Sequence, residues 1–154
     1  MSTHPRAPTT GPVVFAYDGS DLARLAIEEA GQQLAAGRDG LVLTVWQPFD
    51  LGFIPADGLQ FNTEQITEVR DAAERTAADG ARQAGGAGFR AQSLAVEGSP
   101  SWKIIVEVSE ARDASLIVLG SHGHTGLADA LLGSVARAVA AHSRRSVLIA
   151  HRRA

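Results

Sequence analysis

The chain has 154 residues, of which 45% are hydrophobic and 20% charged, and its formal net charge is −3 at pH 7. That length suits one domain with a sizeable core, and the ratio of apolar to charged residues excludes an intrinsically disordered chain. The acidic balance argues against a nucleic-acid partner recognised by phosphate neutralisation, and the absence of cysteine excludes disulfides, thiolate metal sites and cysteine nucleophiles.

The first stretch, residues 1–11, is rich in Pro, Thr and Ser and reads as a flexible tail. It lacks the apolar centre of a secretory signal. No apolar run approaches the ~20 residues of a membrane span. The expectation is therefore a cytoplasmic protein without a membrane partner, in keeping with the missing cysteines. Val13 to Tyr17 is a short apolar run closed by Asp18-Gly19-Ser20, as suits a buried parallel strand. Ser20 or Asp21 is placed to cap a helix whose apolar face is Leu22, Leu25, Ala26, Ala30 and Leu34. Leu41 to Trp46 is a second strand, stopped by Pro48.

Residues 47–63 show no period and read as a long loop, the kind that often walls a site. A polar helix begins at Asn62 or Thr63 and runs to about Ala84, with Ile66, Val69, Ala73 and Ala77 inward and Gly85-Gly86 as its end. Phe89 to Val96 alternates loosely and predicts a strand near the sheet edge. Gly98-Ser99-Pro100 turns into a helix with Ser99 as its cap, Pro100 at its first position, and Ile104, Ile105, Val108 and Ala111 buried. Ser115 to Leu119 is a fourth strand. A helix with Val135, Ala138 and Val139 inward and a fifth strand, Ser146 to Ala150, follow. Strands alternating with helices predict a parallel sheet covered on both faces, with ligands at the carboxyl ends of its strands.

Between the fourth strand and the last helix lies GSHGHTGLADALLGS, residues 120–134. Glycine lets a backbone approach an anion closely, and a helix N-terminus offers unpaired N–H groups and a positive dipole end. The stretch lacks the Lys-Ser/Thr pair of a P-loop and the GxGxxG spacing of a dinucleotide fold. Its spacing is G-x2-G-x9-G-S over Gly120, Gly123, Gly133 and Ser134. A glycine costs up to about 1 kcal/mol inside a helix, so Gly133 reads as a break that opens the last helix. The N–H groups of Ser134 and Val135 and the Ser134 hydroxyl would then face a phosphate, with Gly120 and Gly123 opposite.

The segment VLGSHGHTGLADALLGSVARAV resembles the nucleotide-binding segment of the universal stress protein family, whose ATP-binding members carry the G-x2-G-x9-G-[ST] spacing. The strand ending at Asp18, the Gly98-Ser99-Pro100 turn and the last short strand agree in order, over about residues 12–151. The resemblance implies an α/β fold: a single open, five-stranded, mostly parallel doubly wound sheet, Rossmann-like, with strand order 3-2-1-4-5 and residues 12–154 as the nucleotide-binding domain. It implies ATP as ligand, with Mg2+ or Mn2+ carried on the phosphates. Asp18 would meet the ribose or adenine, beside Ala16 and Tyr17, and the Val45 backbone would meet adenine. Gly120, Ser121, His122, Gly123, Gly133, Ser134 and Val135 would surround the phosphates. It further implies a homodimer through strand 146–150, a regulatory protein partner and, at most, slow ATP hydrolysis. Cyclic AMP fits the same adenine pocket, and partner binding without nucleotide is the alternative. Tyr17 stands where small residues or proline are frequent, so it either narrows the pocket or packs.

Other chemistries fall away. His122 and His124 lack the partner carboxylates of a metal site and are one residue short of a His-x-Gly-His motif. There is no Gly-x-Ser-x-Gly elbow, matched acid–base pair or arginine finger. Trp46 and Trp102 read as packing groups.

Overall fold

The computed structural model describes residues 11–48, 63–123 and 132–152. Strands and helices alternate along it: β1 (Val13–Ala16), α1 (Asp21–Gln33), β2 (Asp39–Trp46), α2 (Thr63–Gly86), β3 (Arg90–Glu97), α3 (Ser101–Ala111), β4 (Leu116–Gly120), α4 (Ser134–His142) and β5 (Val147–Ala150). The strands form one five-stranded sheet in the order β3-β2-β1-β4-β5. Every pairing is parallel, from Val13 opposite Gly40 and Leu116 on the two sides of β1 to Gly120 opposite Ala150 at the β4–β5 edge. The doubly wound sheet and its predicted order are as observed.

The core follows from strand alternation, which sends successive side chains to opposite faces. Val13, Phe15 and Tyr17 join Ala23, Ala26, Ile27 and Ala30 of α1 and Ala84 of α2 on one face. Phe89, just before β3, sets its ring edge-on to Phe15 at 5.0 Å on that face. Val14 joins Leu41, Leu43, Ile117 and Leu119 on the other face, closed by Ile105 of α3 and by Ala136 and Val139 of α4. A fully buried Val, Ile or Phe contributes about 1.5–3 kcal/mol, so the central strand β1 is the anchor of both layers.

Several helix faces are rotated from the sequence expectation. In α1 the buried residues are Ala23, Ala26, Ile27 and Ala30, while Leu22 and Leu25 are half-buried. Small residues let the helix axis approach the sheet, and the leucines flank the contact. In α3 the buried pair is Ile105 and Ser109, whereas Ala111 is exposed. The Ser109 hydroxyl is satisfied by donating to the Ile105 carbonyl at 2.7 Å, a local bond that removes the cost of burying it. In α4 Ala136 is buried in place of Ala138. The cap of α3 also differs. Pro100, after a cis Ser99–Pro100 bond, is itself the N-cap with extended backbone (φ −72°, ψ 155°), and its side chain makes no capping bond. The helix α2 continues through Gly85 and Gly86, and the reversal falls at Gly88, where φ is 104°. Only glycine enters that left-handed region without strain.

Ser115, expected in the fourth strand, precedes it. Its hydroxyl donates to the Gly11 carbonyl at 2.8 Å and accepts from Arg38 at 2.6 Å, tying the start of the described chain to the amino edge of the sheet. At the same edge Arg145 forms ion pairs with Glu110 (3.0 Å) and Asp113 (2.8 Å). The guanidinium holds the Glu110 carboxyl below the usual glutamate range. No helix among the described residues is long and apolar enough to cross a membrane.

Candidate functional site

The order of the sheet reverses between β1 and β4, because β2 and β3 extend it one way and β5 the other. Loops leaving the carboxyl ends of β1 and β4 must diverge there, and this opens a crevice. A cleft of about 840 Å³ occupies that position, within the range of about 300–1,000 Å³ common for small-molecule sites. All the residues singled out from the sequence line it: Ala16, Tyr17, Asp18, Val45, Gly120, Ser121, His122, Gly123, Gly133, Ser134 and Val135.

One wall is apolar. Ala16, Val45 and Val135 are half-buried and pack against the same core cluster on the α3–α4 face. Tyr17 takes no part in this wall, since its ring follows the alternation to the opposite face. It is 5% exposed and lies so close to Gly80 of α2 that a Cβ there would come within 2.7 Å of the ring. Its hydroxyl accepts from Arg24 at 3.4 Å, an interaction that raises the Arg24 pKa. Of the two roles considered for Tyr17, packing is the one observed. Its backbone holds the cleft rim: the Tyr17 N–H donates to the Leu43 carbonyl at 2.9 Å, and Thr44 Oγ1 donates to the Tyr17 carbonyl at 2.9 Å.

Asp18 follows directly. Its Oδ1 accepts from the Ser20 N–H at 2.9 Å, while Ser20 Oγ accepts from the Ala23 N–H and caps α1. Its Oδ2 faces Gly123 so closely that a Cβ on the glycine would lie 2.6 Å away. Glycine at 123 is therefore what lets the β1 carboxylate and the β4 loop meet.

The loop is closed by backbone. Ser121, 3% exposed, donates its N–H to the Ala150 carbonyl at 2.8 Å, and its own carbonyl accepts from the Gly133 N–H at 2.6 Å. Gly133 is the N-cap of α4, in extended backbone (φ −69°, ψ 167°), and as a glycine supplies no side-chain cap. The Arg137 N–H donates to the Gly133 carbonyl at 3.0 Å. Helix geometry then leaves the N–H groups of Ser134, Val135 and Ala136 without intrahelical acceptors. The break expected at Gly133 is present. A Cβ there would approach the Ser121 carbonyl oxygen to 3.1 Å and His122 Cα to 3.4 Å, so the absence of a side chain keeps the two ends of the loop together. His122 Nδ1 is buried and has no hydrogen-bond partner among the described residues. Such an atom carries the cost of desolvation until a ligand or water meets it.

Arg137 does not stand out in the sequence. It sits one turn after Ser134, is exposed, lines the cleft, and makes no ion pair among the described residues. The three-residue spacing on a helix was the available signal. Thr44, Thr76 and Ser101 also line the cleft. Trp46 packs instead with Val69 and Ala73, and Trp102 stacks on His142 at 4.3 Å. His124, Gly126 and the expected loop wall at 49–62 lie outside the described residues. No group of three or more potential metal-ligating side chains occurs among the described residues.

The family model described as the universal stress protein family matches residues 9–151. The chain belongs to the universal stress protein family. It is 32% identical over 139 residues to a universal stress protein of Mycolicibacterium smegmatis, a match covering 90% of this chain and 45% of that protein. The chain thus spans about half the length of that relative. It is 30% identical over 147 residues to universal stress protein YxiE of Bacillus subtilis, covering 89% of this chain and 96% of that one. Among solved structures, the protein MJ0577 superposes with a TM-score of 0.78 at 23% identity, covering 95% of this chain and 99% of that chain, a likeness of fold. A universal stress protein solved in complex with cAMP superposes with a TM-score of 0.58 at 27% identity, covering 92% of this chain and 97% of that one.

Proposed function

We propose that this universal stress protein binds an adenine nucleotide, ATP by preference, in the cleft between β1 and β4, and that nucleotide occupancy is its regulatory signal. The observation that carries the reading is the uncapped start of α4 at Gly133, folded against Ser121 and His122. It offers backbone donors and a positive dipole end to an anion at the mouth of a cleft of suitable size. The glycine spacing is that of the family's ATP-binding members. The apolar patch of Ala16, Val45 and Val135 suits a base, and the Asp18 carboxylate suits a ribose hydroxyl or an amino group. A phosphate oxygen at the loop, or a water held by it, would also meet His122 Nδ1.

Asp18 repels phosphates and Arg137 attracts them, so the nucleoside lies towards β1 and the phosphates towards α4. Mg2+ or Mn2+ would be carried on the phosphates, and hydrolysis is slow at most. The nucleotide-binding domain comprises residues 12–154, following a tail at 1–11, and acts in the cytoplasm. We assign dimerisation to the 146–150 edge, where among the described residues β5 pairs only with β4 and carries half-buried Val147, Leu148 and Ile149. A dimer whose surface changes with nucleotide would offer or withdraw a face to a protein partner.

Calorimetry of the purified protein with ATP and magnesium, together with mass spectrometry of nucleotide released from it, tests this reading. Saturable binding at one site per chain supports it; no binding of ATP and no co-purified nucleotide refutes it. Cyclic AMP is the second reading, favoured by the related structure in complex with cAMP. It takes precedence if cAMP binds more tightly than ATP in the same titration.

A further inference from the structure

We propose that Arg137 reads the length of the phosphate chain, so that the cleft distinguishes a nucleoside triphosphate from a monophosphate or a cyclic monophosphate; this rests on the nucleotide reading above. The cleft carries fixed charges at opposite ends of its loop. Asp18 lies against Gly123, and Arg137 follows the Gly133-Ser134 turn. Side chains on a helix lean towards its N-terminus, so a long residue one turn in covers the turn before it. For Arg137 that turn is Gly133-Ser134, where the unpaired amides of α4 lie.

Arg137 lines the cleft, is exposed, and makes no ion pair among the described residues. The other arginines that meet acidic side chains, such as Arg145 with Glu110 and Asp113, are committed elsewhere. A first phosphate held by the Ser134 and Val135 amides leaves a second and third to extend along α4, where a planar guanidinium can take two oxygens at once. A cyclic monophosphate brings one phosphate and a single negative charge, so it gains less from Arg137 than a triphosphate does. The device is a discriminator that acts on binding and needs no bond to break.

The test is calorimetric titration of ATP, ADP, AMP and cAMP into the parent protein, Arg137→Gln and Arg137→Lys, with circular dichroism to verify folding. The expected order for the parent is ATP, then ADP, then AMP and cAMP. Loss of charge-assisted hydrogen bonds should reduce the ratio of ATP to AMP affinity in Arg137→Gln by about tenfold or more. Arg137→Lys should retain part of that ratio, and higher salt should lower it in the parent more than in Arg137→Gln. An unchanged ratio in a folded Arg137→Gln that still binds ATP overturns the assignment of Arg137 and leaves the nucleotide site standing. Failure of the parent to bind any of the four overturns both.

Discussion

Replacing Gly123 by alanine should weaken nucleotide binding by acting through Asp18. A Cβ at 123 would sit 2.6 Å from Asp18 Oδ2, against 3.4 Å for ordinary contact, so the carboxylate must withdraw by about 0.8 Å. The obstructing atom ends an exposed side chain, so the fold should absorb the change within about 0.5 kcal/mol, as surface substitutions usually do. A hydrogen bond from the ligand to a charged acceptor contributes about 1.5–3 kcal/mol. Losing it should therefore weaken ATP binding about tenfold to a hundredfold. The discriminating assay is a double-mutant cycle by calorimetry with Gly123→Ala, Asp18→Ala and the double variant. Because the glycine acts through the carboxylate, the double variant should bind about as Asp18→Ala does. Fully additive losses would refute this reasoning and place Gly123 directly against the ligand.

Other substitutions separate site from scaffold. Gly133→Val should abolish ATP binding and destabilise the protein by about 1–3 kcal/mol in urea unfolding, because its side chain meets the Ser121 carbonyl and His122. Gly80→Ala exchanges a poor helix former for the best one, yet it should destabilise by a similar amount, about 1–3 kcal/mol, as its Cβ would lie 2.7 Å from both the Tyr17 ring and Val42. ATP affinity should respond less, since that ring faces away from the apolar wall. The Glu110 pKa is lowered by Arg145, so the pair's contribution is present above the unfolded glutamate pKa and is lost as pH falls through the lower folded value. Glu110→Gln should therefore lower the melting temperature at neutral pH, with the deficit closing in acid; a deficit that does not shrink there contradicts the ion-pair account.

Much of the fold could be read because each strand is a short apolar run bounded by glycine, proline or a cap. The Val13 to Tyr17 and Leu41 to Trp46 runs are buried as their composition demands, apart from Ala16 and Val45, which are half-buried at the cleft. The errors cluster where several apolar arcs compete on one helix. In α1, Leu22 and Leu25 are more hydrophobic than Ala23, yet close approach to the sheet selects the small side chain. Ser109 was unreadable because its hydroxyl is satisfied within its own helix. At the site, the glycine spacing revealed the α4 start, since a break in an otherwise good helix is a local property. The meeting of Asp18 with Gly123 and the place of Arg137 in the cleft lining are tertiary, set by how β1, β4 and α4 converge. Tyr17 is a different case: the alternation of Val13, Phe15 and Tyr17 already placed its ring on one face, and its packing role follows from that.

The most direct test of the central claim is residue-resolved amide NMR of the chain titrated with ATP and magnesium. Shifted resonances and slowed hydrogen exchange are expected at the Ser134 and Val135 amides, with smaller effects along the remainder of α4. Saturable ATP binding that leaves both amides unchanged would contradict that claim and move the phosphate site elsewhere.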